Sequence, residues 1–178
     1  MRILVAYGTT EGHTKQIARS IEAMVEKAGH SCHLHDCADV DNAPDPGDFQ
    51  AVIVAGSVHQ RRHQEKVADF VKSHLRTLKA LPGAFVSVSL SIIMDDGRDE
   101  AESYVTDFTA ETGWYPQHVH MAAGAIRYLE YDFFKEFTLQ HIVFKGKKAL
   151  PPKEHGNPVL TDWDALAAFV DGFLEQAT

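Results

Sequence analysis

The residues Gly8-Thr9-Thr10-Glu11-Gly12-His13-Thr14, near the start of the chain, carry more chemical information than any other stretch. They stand between an apolar run and an amphipathic helix. Thr9, Thr10 and Thr14 supply hydroxyls, which donate and accept hydrogen bonds without adding charge. A helix starting after Gly12 aims its first N–H groups and the positive end of its dipole into the same space, which favours an anion there. Gly8 and Gly12 let the backbone bend and come close to a ligand. The turn holds no lysine, so it is not the Gly-Lys-Ser/Thr ending of a Walker loop. It also lacks the Gly-x-Gly-x-x-Gly pattern of dinucleotide-binding turns. Hydroxyls and amides alone suit a terminal phosphomonoester.

The elements that must position this turn follow from hydrophobic periodicity. Residues 3–7 read as a buried strand; Ile17, Ile21, Met24, Val25 and Ala28 mark the inward face of the next helix, which Gly29 is placed to end. Residues 31–35 form a half-polar strand suited to a sheet edge. Residues 51–55 form a fully apolar strand that Gly56-Ser57 should stop, and a helix follows over 64–75 with Val67, Phe70 and Val71 inward. Strands over 84–90 and 117–123 flank a helix over 99–112, and residues 163–174 close the chain as a helix with Asp162 as its N-cap. This alternation predicts one α/β domain over residues 1–178, a doubly wound, five-stranded parallel sheet in the order 2-1-3-4-5. Ligands of such sheets lie beyond the carboxyl ends of the strands. Residues 125–157 interrupt the pattern after strand 5 and read as an insertion.

Thr9, Gly12 and Thr14 fall on the Thr/Ser-x-Thr/Ser-Gly-x-Thr phosphate loop of flavodoxins, which the turn resembles, with Glu11 in place of the middle hydroxyl. A second likeness is more particular. Ala123-Gly124-Ala125-Ile126-Arg127-Tyr128, the aromatic and charged run over 131–144, and Leu160-Thr161-Asp162-Trp163 resemble the flavodoxin-type, quinone-dependent protoporphyrinogen oxidases. The resemblance implies a flavodoxin-like fold, FMN as cofactor, and oxidation of protoporphyrinogen IX to protoporphyrin IX with a quinone as acceptor, a step of heme biosynthesis. It places Thr9, Thr10, Glu11, Gly12, His13 and Thr14 at the FMN phosphate. Ser57, Val58 and His59 after strand 3, and Ser87, Val88, Ser89 and Leu90 at strand 4, would flank the isoalloxazine ring, with Gly124, Ala125 and Arg127 nearby. Flavodoxins stack aromatic side chains on that ring, but neither loop here offers one close to its strand end. A ring face left open suits contact with an organic substrate. A flavodoxin-type electron carrier and a flavin-dependent quinone reductase are the rival readings.

No residue is forced into the role of catalytic acid or base. His59 is either a proton donor beside the flavin or a solvated loop residue. Arg127 could grip a porphyrinogen propionate at two points, with Tyr128 and Tyr131 beside it, or it could pair with Glu130. The aromatic stripe through Phe133, Phe134, Phe137 and Phe144, followed by Lys145, Lys147 and Lys148, reads two ways as well. Residues 130–150 either pack on their own domain or form a lip that admits a flat macrocycle and touches anionic lipid. The chain has eleven histidines, yet no convergent Cys/His/Asp set suggests a metal site, and surface histidines are the expectation.

The formal net charge of −8 over 178 residues argues against nucleic-acid binding. Residues 125–157 are the exception, with six basic residues (Arg127, Lys135, Lys145, Lys147, Lys148, Lys153) against four acidic ones (Glu130, Asp132, Glu136, Glu154). Only Cys32 and Cys37 are present, with no Cys-x-x-Cys spacing. The start of the chain has no signal-peptide layout and no run is long enough to span a bilayer, so a cytoplasmic protein, at most peripheral at the inner membrane face, is expected. Oligomeric state is not legible.

Overall fold

In the computed structural model the described residues are 1–10, 12–94, 96–124 and 159–177. The strands are β1 (Arg2–Gly8), β2 (Ser31–Asp36), β3 (Ala51–His59), β4 (Arg62–His63), β5 (Gly83–Ser89) and β6 (His118–Ala123). The helices are α1 (His13–Lys27), α2 (Glu65–Ser73), α3 (Leu75–Leu78), α4 (Gly97–Thr112) and α5 (Trp163–Ala177). The main sheet runs β2-β1-β3-β5-β6 with every pair parallel, and β4 hairpins back on β3. Counted without β4, this is the 2-1-3-4-5 order read from periodicity.

Side chains alternate across a strand, so each strand feeds two cores. Ile3, Val5, Ile53 and Val86 face α1 and α5, where Ile17, Ile21, Leu166, Val170 and Phe173 meet them. Leu4, Val52, Val54 and Phe85 face the other way, onto Val67, Val71, Leu78, Phe108 and Trp114. Phe85 and Phe108 stack with ring centroids 4.5 Å apart, and Trp114, only 1% exposed, donates its indole N–H to Leu78 O. Truncating a ring of this size in such a core costs about 3–5 kcal/mol. Both faces being buried explains why β1, β3 and β5 read as unbroken apolar runs. β2, at the edge, keeps its polar alternation.

Three local features differ from the expectation. Gly56-Ser57 does not stop β3, which runs on to His59 and turns into β4 through Gln60 (φ 49°) and Arg61 (φ 65°). A short 3₁₀ turn, Ser91–Ile93, follows β5, and α4 starts at Gly97 rather than 99. The helix expected over 64–75 ends at Ser73, and α3 resumes at Leu75, with His74 Nδ1 2.9 Å from Phe70 O at the break. Asp162 caps α5 as expected, its carboxylate accepting from Ala165 N–H at 2.9 Å. The segment 125–157 lies outside the described residues.

Candidate flavin site

β1 delivers the phosphate turn into the gap between β1 and β3, where the strand order changes direction and Gly8 lies opposite Gly56. The two turn glycines have different reasons to be glycine. A Cβ on Gly8 would run into Val67 Cγ2 and Gln64 Oε1, so Gly8 serves close packing. Gly12 has open space around it but sits at φ +88°, and its N–H donates to Thr9 Oγ1 at 2.8 Å. That fold-back starts α1 at His13 with no side-chain cap and no acidic residue in its first turn. The first N–H groups of a helix have no intrahelical partner, and among the described residues no side chain caps these, which suits an anion there. Thr14 is buried at the same helix start.

Two residues shape this turn: Gln64, which the sequence reading did not single out, and Thr161, which it read only as part of the Thr-Asp-Trp motif. Gln64, between β4 and α2, donates from Nε2 to Thr10 Oγ1 at 2.6 Å, while its own Oε1 is buried without a partner among the described residues. A hydroxyl that accepts from Gln64 is left with its hydrogen free to donate elsewhere. Thr161, from the far end of the chain, lies 2.8 Å from His13 Nε2 through Oγ1 and donates to Ala123 O at 2.7 Å. The Thr-Asp-Trp motif and the phosphate turn, 148 positions apart, therefore meet directly. Trp163 adds a ring contact to His13 with centroids 6.4 Å apart. Burial holds the His13 imidazole below its ordinary pKa.

The opposite wall comes from the ends of β3 and β5. Ser57 and Val58 are half-buried and His59 is exposed, at the mouth of the β3–β4 hairpin. Ser87 and Val88 are turned into the interior: Ser87 Oγ lies 3.0 Å from His63 Nε2, and Val88 joins the α1–α5 core. Ser89 follows with a buried hydroxyl lacking a partner among the described residues, and Leu90 is half-buried. Gly124 links this edge to the end of the chain, its N–H donating to Ser89 O and its carbonyl accepting from Leu160 N–H, both at 3.3 Å. Ala125, Arg127, Tyr128 and Tyr131, like Glu11, lie outside the described residues, and so does the proposed lip over 130–150.

His63 corrects the expectation of surface histidines. It packs on Phe85 and Phe108, centroids 5.1 and 5.0 Å away, and burial pushes its pKa down to about 4. His35 is also interior, 5% exposed against the Phe70 ring. At the hairpin tip Arg61 pairs with Glu100 at 3.1 Å, and Glu100 accepts from Ser91 Oγ at 2.8 Å. The β3 and β5 walls are thereby tied together outside the sheet.

An uncapped helix start, a turn of hydroxyls, and unpartnered Gln64 Oε1 and Ser89 Oγ fit a phosphorylated polar cofactor between these walls. The flavodoxin domain family matches residues 4–150. The chain belongs to that family. Within it, a Leishmania major protein named protoporphyrinogen IX dehydrogenase [quinone] is 31% identical over 175 residues, covering 97% of this chain and 74% of its own length. An Escherichia coli K12 protein of the same name is 28% identical over 173 residues, covering 95% and 92%. Among solved structures, oxidised flavodoxin 1 from Bacillus cereus superposes with a TM-score of 0.56 at 11% identity, over 98% of each chain. A short-chain flavodoxin associated with a bacterial microcompartment gives 0.59 at 12% identity, over 100% of this chain and 99% of its own. Those structural likenesses show the fold. Family membership makes this flavodoxin-like chain an FMN-dependent oxidoreductase. Among its described residues, no helix is long and apolar enough to cross a membrane.

Proposed function

We propose that this flavodoxin-family enzyme oxidises protoporphyrinogen IX to protoporphyrin IX and passes the electrons to a quinone, as the names of its two relatives describe. The observation that carries this reading is the 31% identity extending over 97% of the chain, through both the phosphate turn and the Thr-Asp-Trp end. The ring-side loops support it, since residues 57–59 and 87–93 contain no aromatic side chain to cover a flavin face. Six electrons and six protons leave the porphyrinogen, so three quinones become three quinols for each porphyrin formed.

Bound FMN supplies a centre that accepts two electrons from one partner and returns them to another. Thr9, Thr10, Thr14 and the first-turn amides from His13 onward hold its phosphate. Ser57, Val58, Ser89, Leu90 and Gly124 flank the ring, with Ala125 and Arg127 beyond them. Ser87 acts from behind, joined to His63. His59, exposed beside this wall, is placed to exchange a proton with solvent. Arg127 anchors a substrate propionate with Tyr128 and Tyr131 beside it, and residues 130–150 form the apolar lip over the macrocycle, against the inner membrane face.

Arg127→Lys tests the substrate half of this reading. An ammonium cannot reproduce the two-point guanidinium grip on a carboxylate. Losing one such charge-assisted bond costs on the order of 1.5–3 kcal/mol, or about tenfold to a hundredfold in kcat/KM for porphyrinogen. FMN affinity and quinone turnover from chemically reduced enzyme should hold. Equal loss in both half-reactions would assign Arg127 to the flavin instead, and no loss in either would remove it from the site.

A further inference from the structure

The phosphate turn carries no lysine or arginine between Gly8 and Thr14, yet FMN brings it a phosphate dianion. The hydrogen bonds around His13 show where a compensating charge can arise. Thr161 has one hydroxyl hydrogen and spends it on Ala123 O at 2.7 Å. Toward His13 Nε2, 2.8 Å away, the Thr161 oxygen can only accept, so Nε2 carries a hydrogen. The other ring nitrogen, Nδ1, lies 3.2 Å from the side-chain amide of Gln16, one turn along α1. The atom facing Nδ1 is Gln16 Oε1, which accepts from a protonated Nδ1; turned over, the amide offers its NH₂ to a bare one. The ring can therefore take up a second proton without losing either partner.

We propose that His13 is the proton-linked cation of the phosphate turn: FMN binding draws one proton onto Nδ1, and the imidazolium, held by Thr161 and Gln16 at the start of α1, stabilises the phosphate through space. This rests on the assignment of the turn to the FMN phosphate. The ring's depressed pKa in the absence of ligand keeps it neutral near pH 7 until an anion arrives. The charges on the elements around it are Lys15 on α1, Asp162 and Asp164 at the start of α5, and His120 on β6, itself held below its ordinary pKa by burial. Asp162 already caps Ala165. Glu11, the neighbouring acid, lies outside the described residues.

The sign of the effect follows from linkage. A group whose pKa rises on binding makes affinity greater at low pH and weaker as pH climbs through the bound-state value. Between pH 7 and 9 a phosphomonoester, with a second pKa of about 6, stays a dianion, so its own titration does not intervene. Equilibrium titrations should therefore show FMN affinity of the wild-type protein falling by about fivefold to tenfold over that range. His13→Gln should give a flat profile near the wild-type value at pH 9. Riboflavin, lacking the phosphate, should bind more weakly and without pH dependence. Calorimetry of wild-type protein at pH 7.5, in two buffers of different ionisation enthalpy, should show net proton uptake with FMN and none with riboflavin. A flat wild-type FMN profile, or no proton uptake, overturns the role of His13 while leaving tight, phosphate-dependent binding to support the turn. Equal affinity for FMN and riboflavin would instead overturn the assignment of the turn itself.

Discussion

The two walls of the flavin cleft are held by different physics. On the β1–α1 side, order comes from short hydrogen bonds to neutral partners that are far away in sequence, Gln64 for Thr10 and Thr161 for His13. The positive φ in the described part of that turn falls on a glycine, where it costs little. On the β3–β5 side, Gln60 and Arg61 both occupy the left-handed region, which costs a residue with a Cβ about 1–2 kcal/mol. The Arg61–Glu100 pair that steadies them is largely exposed, with Arg61 76% accessible. Exposed pairs of this kind contribute about 0–1 kcal/mol. The contrast teaches that firm order is concentrated in the phosphate turn, while the β3–β5 side keeps stored strain and weak ties that permit adjustment.

The largest predicted effect breaks the first wall. Gly12→Val places a β-branched residue at φ +88° and sets its side chain in the open space the turn leaves for a ligand. FMN affinity should drop by about a hundredfold or more, while the circular dichroism of the apoprotein stays that of the wild type. Retention of FMN with unchanged affinity would move the phosphate elsewhere.

A smaller effect belongs to the seam behind the second wall. His63 has its pKa pushed down to about 4 from an ordinary 6.5, so the unfolded chain binds the proton more readily than the folded one. Stability should be insensitive to this group above pH 6.5 and should fall steadily from there toward pH 4. His63→Gln, which keeps a hydrogen-bonding group for Ser87, should flatten that part of the stability–pH curve in denaturant titrations. If the curve keeps its slope in the variant, other groups cause the acid sensitivity.

The smallest effect concerns the hairpin tip. Two-residue turns with both central residues at positive φ favour Asn-Gly, and Gln60→Asn moves toward that preference. A gain of about 0.5–1 kcal/mol, or roughly 1–4 °C in Tm, is expected, with FMN affinity unchanged. A loss of stability would mean that the native Gln60 makes up for its backbone cost by contacts at the tip.

What was legible in the chain follows the same division. β1, its turn and α1 could be read because the hydrophobic period switches from a continuous run to 3.6 across two glycines. Asp162 was readable as a cap because N-capping is local. The β3–β4 hairpin was not, since Gln-Arg carries none of the usual turn chemistry and Gly56-Ser57 resembles a stop. His63 and Gln64 were missed for a tertiary reason. Their roles depend on Phe85, Phe108, Ser87 and Thr10, which only the folded sheet brings alongside. Thr161 was noticed as part of a motif, but its bond to His13 spans 148 positions and leaves no local trace. A signal was present in hindsight: β1 and α5 must both border the sheet's carboxyl edge, so residues just before α5 are candidates to reach the turn.

The central claim, oxidation of a porphyrinogen by this flavodoxin-family enzyme, is tested most directly by anaerobic stopped-flow reduction of the FMN-loaded protein. Protoporphyrinogen IX, NADPH and reduced ferredoxin would each be offered as donor, with bleaching of the oxidised flavin band and porphyrin fluorescence followed together. Fast bleaching is predicted with protoporphyrinogen IX alone and is reversed when a quinone is added. Since each FMN takes two of the six electrons, porphyrin fluorescence should rise in step with three rounds of flavin reoxidation by the quinone. Fast reduction by NADPH or ferredoxin, with protoporphyrinogen IX inert, would contradict it and make the chain a quinone reductase or an electron carrier.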